Sequence, residues 1–200
     1  MKKIPTLFKR VFEGNRIIGI TPEITEGCEE AFYNGVATLK VDGSCCAIIK
    51  GELYKRYDAK NGKPIPEGAI KCQDAPDPIT GHLPCWVKCS KDNPSDKWFI
   101  AAYHYSNSFQ SLTLFSGASG TFEAIGPHFQ GNPYNLENDR LIRHGSIIIS
   151  DFPRTFEGVR DWLSRFEQEG LVFWLNDEPV CKIKRSDFGF TWPVKGGANI

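Results

Sequence analysis

The chain has 200 residues, 40% of them hydrophobic and 12% aromatic, a length and composition that support a folded domain with a sizeable core. Its 24 Lys plus Arg balance 24 Asp plus Glu, which excludes a protein that coats nucleic acid by bulk positive charge while leaving room for a local basic groove. No run of about 18 apolar residues occurs, so no transmembrane helix is expected, and the start MKKIPTLFKRVFEGNR lacks the apolar stretch of a secretory signal.

The first forty residues read as short mixed elements, with Lys2, Lys3, Lys9 and Arg10 forming a basic terminus suited to solvent or to a nucleic-acid backbone. VATLKVDG follows, an apolar strand pattern broken by Lys40, then Asp42 and Gly43. SCCAIIKGELYKRYDA predicts two strands around a tight hairpin at Lys50-Gly51. Cys45 and Cys46 point to opposite faces of a strand, cannot easily pair, and read as small buried hydrophobes. Seven cysteines without a signal point to free thiols in a cytoplasmic or other reducing intracellular compartment.

From Asn61 to Pro94 the chain is rich in Pro, Gly, Asp and Lys, the chemistry of a long functional loop or lid. Cys72, His82, Cys85 and Cys89 in this stretch fit no common zinc spacing. Trp86 and Trp98 read as packing under the loop ahead of stacking on RNA bases. KWFIAAYHYS and SLTLFSGASGTFEAIGP predict further strands, NPYNLENDRLIRHG a polar connection and SIIIS a buried strand. TFEGVRDWLSRFEQEG is the best helix: Phe156, Val159, Trp162, Leu163 and Phe166 share a face, Thr155 caps the start, and Gly170 lies past the end. LVFWL, the turn NDEP and VCKIKRS close the chain as a hairpin. The expected class is α+β, dominated by antiparallel strands, with no repeat and no dividing linker.

Four islands stand out as candidate chemistry: Lys40-Val41-Asp42-Gly43, Glu123, Glu169-Gly170 ahead of an apolar strand, and Lys182-Ile183-Lys184. Residues two apart in a strand share a face, so Lys182 and Lys184 would present two ammonium groups side by side, repelling unless an anion such as phosphate sits there. Taken singly, each has an ordinary reading: a surface turn, a solvated helix end, a charged edge strand that resists aggregation.

In order, the islands resemble the motif series of the covalent nucleotidyltransferases, the superfamily of ATP-dependent DNA and RNA ligases and of the messenger-RNA capping guanylyltransferases. YKRYD supplies a further element, with Arg56 at the arginine position, and the match spans residues 40 to 185. The local wording is most similar to the compact 5′–3′ RNA ligases of vertebrates and some viruses and microbes, through KVDGSCC, YKRYDAKNG, DPITGHLP, FEAIGPHFQGNPYNL and EGLVFW. One departure is Leu39, where an acidic residue often precedes the lysine. No oligonucleotide-binding barrel follows the Lys-x-Lys strand, so residues 1–200 are expected to form a single nucleotidyltransferase (adenylation) domain.

The resemblance implies an RNA-repair ligase that joins RNA 5′-phosphate and 3′-hydroxyl ends, takes ATP with Mg²⁺ or Mn²⁺, and needs no membrane. Lys40 would attack the α-phosphate to give lysyl-AMP and pyrophosphate. Asp42 would lie near the lysine and the metal waters, Lys182 and Lys184 would neutralise the phosphate, Arg56 and Glu123 would hold the ribose, and Glu169 would face the metal. Val172 would pack under the adenine, with His144 and Ile148 as candidates for its other face. Attack requires a neutral amine. Lowering a lysine from about 10.4 to about 7 takes roughly 4.6 kcal/mol, and one cation about 5 Å away at an effective dielectric of about 20 supplies roughly 3.3. The alternative readings are a capping guanylyltransferase using GTP and a non-catalytic RNA-binding protein on the same fold.

Overall fold

The structure, a computed structural model, describes every residue except 15, 61–62, 79 and 110–118. In chain order its elements are β1 (Phe8–Glu13), β2 (Arg16–Ile24), α1 (Glu29–Asn34), β3 (Val36–Lys40), β4 (Ser44–Ile49), β5 (Glu52–Ala59), β6 (Ile70–Lys71), β7 (Leu83–Lys88), α2 (Lys97–Phe109), β8 (Gly120–Ile125), β9 (Arg140–Arg143), α3 (Phe156–Arg165), β10 (Gly170–Leu175) and β11 (Glu178–Lys184). This is an α+β fold of antiparallel sheets with few helices, as expected. No helix among the described residues is long and apolar enough to cross a membrane. The chain divides into two compact units, Met1–Lys3 with Asp42–His144, and Ile4–Val41 with Gly145–Ile200.

The first unit is a six-stranded sheet in the order β6-β7-β5-β4-β8-β9. Alternation sends Cys46, Ile48, Phe122, Ala124 and Leu141 into a core shared with Ala102 of α2. KWFIAAYHYS, expected as a strand, is the body of this helix. Its aromatic composition suggests a strand, but the chain enters it through a capped 3-10 turn, Pro94–Asp96: Asn93 Oδ1 accepts from the Ser95 N–H at 3.1 Å, and Pro94 follows the cap. Ala102 and Ser106, four apart, are both buried, and Ser106 Oγ accepts from the Leu141 N–H at 2.8 Å. SLTLFSGAS, the first part of the next expected strand, falls almost wholly outside the described residues, while Gly120–Ile125 is the strand expected there.

The second unit holds a three-stranded sheet, β11-β10-β3, and the two-stranded hairpin β1-β2. One face of the three-stranded sheet is core: Ala37, Leu171, Phe173, Cys181 and Ile183 pack with Phe32 of α1 and with Val159 and Leu163 of α3. Thr155 caps α3 by accepting from the Gly158 N–H at 3.1 Å, as expected. The helix stops at Arg165, however, and Gly170 is the first residue of β10, not the helix stop. SIIIS is not a buried strand. Ile148 is 64% exposed, and the segment only rests on the edge of β3 through Leu39 N–H to Ile147 O (2.8 Å) and Ile149 N–H to Ala37 O (2.9 Å). β10 and β11 are joined by Asn176-Asp177, both at positive φ, a two-residue turn whose residue types tolerate that conformation.

Phe173 is fully buried, with the Phe32 and Phe152 rings 5.5 and 5.7 Å away. Phe173→Ala should therefore lower unfolding stability by about 3–5 kcal/mol in urea titrations. Phe12→Ala, at a position 51% exposed on β1, should shift it by no more than about 0.5 kcal/mol.

Candidate active site

The face of β11-β10-β3 opposite the core carries four of the expected site residues. Register aligns Gly170 with Lys40 on one side and Lys184 on the other, and Val172 with Thr38 and Lys182. Directly paired residues share a face, so Lys40, Lys182, Lys184 and Val172 all lie on it, while Leu171 and Ile183 between them go to the core. The centre of the Lys40–Gly170–Lys184 row is bare because it must be: a Cβ on Gly170 would lie 2.0 Å from the Ile183 carbonyl oxygen.

Lys40 Nζ is 2.5 Å from Glu169 Oε2, and both side chains are largely buried. The Lys-x-Lys strand is fixed at both ends. Lys182 N–H donates to Pro5 O (3.1 Å) and Lys182 O accepts from Leu7 N–H (2.7 Å). Lys184 N–H donates to Asp187 Oδ2 at 2.8 Å. The buried Arg185 guanidinium donates to the Leu163 and Phe166 carbonyls at the end of α3. Burial first, then the charges of Lys40, Lys184 and Arg10, push the Lys182 ammonium down from 10.5 to about 8, with Glu169 opposing. That displacement is a penalty on the charged form on the order of 3 kcal/mol, which a phosphate on this face would relieve.

The remaining expected residues lie in the Asp42–His144 unit. Asp42 N–H donates to Tyr134 Oη at 2.8 Å. Gly43 is required by close approach, since a Cβ there would lie 2.4 Å from Ala124 O. Arg56 Nε donates to Asp58 Oδ1 at 2.8 Å. Glu123 on β8 pairs with Cys45 on β4, and its Oε1 is 3.1 Å from His144 Nε2. Glu123 Oε2 and His144 Nδ1 are buried without a partner among the described residues.

Lys40, Glu169, Val172, Lys182 and Lys184 thus come together in one unit, and Arg56, Glu123 and His144 in the other. Ile148 extends the Val172 row, bridging to Thr38. Two features were missed. Cys45 is not simple packing: its Sγ and donor atoms of Glu123 and His144 lie within 4.8 Å of one another, and burial, then the Glu123 charge, pushes the thiol up to about 12. Arg10, expected in a basic terminus suited to solvent or to a nucleic-acid backbone, lies close enough to Lys182 for its charge to act there. Cys85 is buried in β7, and the donor cluster found does not include Cys72, His82, Cys85 or Cys89. Glu169, one carboxylate oxygen donor beside phosphate-seeking cations, fits Mg²⁺, which typically takes one or two carboxylates plus substrate phosphates.

Sequence comparison gives these positions a context. The family model described as RNA ligase 1 matches residues 108–198, a window holding Glu123, Glu169, Val172, Lys182 and Lys184. RNA ligase 1 of Rattus norvegicus is 26% identical, covering 81% of this chain and 70% of the rat protein. The Mus musculus protein is 26% identical, with 81% and 69% covered, and that of Danio rerio 26%, with 70% and 47% covered.

The Lys182 penalty sets a pH dependence. The unfolded chain keeps this proton to about 10.5 and the folded chain to about 8, so between those values the unfolded state binds more protons and stability rises with pH. Lys182→Met should be more stable than the parent at pH 7, by on the order of 2 kcal/mol. The gap, followed by urea unfolding of both proteins, should close as pH rises through 8 toward 10.5.

Proposed function

We propose that this chain, which resembles the vertebrate-type RNA ligases along most of its length, is an ATP-dependent 5′–3′ RNA ligase acting through a nucleotidyltransferase (adenylation) domain. The observation that carries this reading is the gathering of Lys40, Lys182 and Lys184 on one coreless sheet face, with Glu169 against the Lys40 amine. A primary amine beside a carboxylate and two further cations is equipped to attack a phosphate and to absorb the charge that builds on it.

In the first step the Lys40 amine, having given up a proton, attacks the α-phosphorus of ATP. A nitrogen–phosphorus bond forms, the bond to the β-phosphate oxygen breaks, and pyrophosphate leaves with the electron pair. Glu169 Oε2, at 2.5 Å, is an acceptor within reach of the amine proton. Next, an oxygen of an RNA 5′-phosphate attacks the same phosphorus, and the amine departs and regains a proton. Last, an RNA 3′-hydroxyl attacks the 5′-phosphorus, a phosphodiester forms, AMP leaves, and the hydroxyl proton passes to solvent. Lys182 and Lys184 hold the phosphate throughout, and Val172 supports the adenine. The ribose role of Arg56 and Glu123 stays with this proposal: the unpartnered Glu123 Oε2 is the kind of acceptor a ribose hydroxyl satisfies. Mg²⁺, with Mn²⁺ as substitute, would be held by Glu169 together with substrate phosphate oxygens and supplies Lewis acidity toward the transferred group. Asp42 would act near it.

Incubation with Mg²⁺ and α-labelled ATP should leave covalent label on the protein. Lys40→Ala should abolish it, and Lys182→Ala or Lys184→Ala should reduce its rate by about a hundredfold or more. Folded protein that never acquires label would sink the proposal, and label from GTP in preference to ATP would turn it toward a capping guanylyltransferase.

A further inference from the structure

The N-terminal hairpin brings one more cation to the lysine face, from a part of the chain that contributes no other residue to the proposed reaction. Pro5, Thr6 and Leu7 lie against Lys182 through backbone hydrogen bonds and a parallel bridge, and β1 continues from there to Arg10. Arg10 NH2 is 3.4 Å from Asp187 Oδ1, while the other oxygen of that carboxylate accepts from the Lys184 N–H. One carboxylate therefore ties the guanidinium of β1 to the end of the Lys-x-Lys strand.

A structural arginine next to a carboxylate would be expected to form a close, two-pronged pair. Arg10 does not. Its contact to Asp187 is single and long, its Nε is buried without a partner among the described residues, and its side chain is still 30% exposed. The local charge is also unbalanced: Lys40, Lys182, Lys184 and Arg10 stand against Glu169 and Asp187. Lys40 takes Glu169 and Arg10 shares Asp187, which leaves about two positive charges in excess, the complement of a phosphate dianion.

We propose that Arg10, oriented by Asp187, forms beside Lys182 and Lys184 a subsite for a second phosphate group, next to the one that those lysines hold and Lys40 attacks. This deepens the ligase reading and rests on it for the identity of the substrate. The chemistry is shared by two sources, the terminal phosphates of the nucleotide and the 5′-phosphate of the RNA. Arg10 is thereby a binding residue, and Asp187 a positioning residue acting through it.

The test uses Arg10→Gln and Arg10→Lys in the full chain, with melting curves to verify folding. In the first arm, the rate of covalent labelling is followed against ATP concentration. In the second, parent and variant are loaded to the same lysyl-AMP level and chased with 5′-phosphorylated RNA. In the third, binding of inorganic pyrophosphate is measured by calorimetry, with no reaction required. Arg10→Gln should lose about tenfold to a hundredfold in one of the first two arms, with Arg10→Lys recovering part of it. A raised KM for ATP in the first arm assigns the subsite to the nucleotide, and a slowed chase assigns it to the RNA. A nucleotide subsite also requires about tenfold weaker pyrophosphate binding by Arg10→Gln. Folded variants matching the parent in all three arms would overturn the proposal while leaving the ligase reading intact. If the parent itself never labels, the ligase reading fails, and pyrophosphate binding still decides the subsite: a loss in Arg10→Gln upholds it, and unchanged or absent binding overturns it.

Discussion

Like charges crowded on one side of a small sheet are the constraint to which the rest of this unit answers. Neighbouring strands lie about 4.8 Å apart and alternate residues about 6.8 Å along a strand. Two ammonium groups about 7 Å apart at an effective dielectric of about 20 repel by about 2 kcal/mol. That is the same order as the penalty carried by Lys182, so repulsion and burial together account for its displaced titration. Here the repulsion is sustained by the fold and only partly offset by Glu169.

What sustains it is the opposite face and the flanking anchors. Phe173, Leu171 and Ile183 alternate with Val172, Lys182 and Lys184, so the residues that bury apolar surface also determine where the lysines point. Arg185 follows Lys184 directly and closes the carbonyl end of α3 from within the core, which fixes the strand end to a helix. Asp187 caps the same turn through the Lys184 N–H. The cations are therefore held by backbone and core contacts that do not themselves depend on the charges.

The lysine face was legible because period-two alternation is local: Lys182 and Lys184 must share a face, and an apolar run after Glu169-Gly170 must be a strand. Register was not legible. Nothing local says that Gly170 pairs with both Lys40 and Lys184, since that depends on the order β11-β10-β3. The place of Arg10 beside Lys182 was not legible for the same reason, since it depends on how a hairpin distant in sequence lies along β11. Cys45 was read through its apolarity, and only the pairing of β4 with β8 places it against Glu123. α2 was misread because aromatic residues favour strands on average, while the Asn93-Pro94 start and the buried Ala102–Ser106 spacing carried the deciding signal. SIIIS looked like a core strand by composition, yet it follows an edge where Ile148 faces outward.

The turn at Asn176-Asp177 has a consequence that reaches well beyond a loop. Two residues of turn, together with the irregularity between Phe173 and Trp174, decide which residues of β11 stand opposite Gly170 and Val172. The side-chain repeat of a strand is two, so this connection acts as a parity condition. A one-residue slip of that register would exchange the odd and even positions of β11, sending Lys182 and Lys184 into the aromatic interior and Cys181 and Ile183 to the outside. The two arrangements have the same composition, length and hairpin, and differ only in whether the charges meet water or Phe173. A turn at the opposite end of β10 from Gly170 thus carries the frame in which the lysines are read.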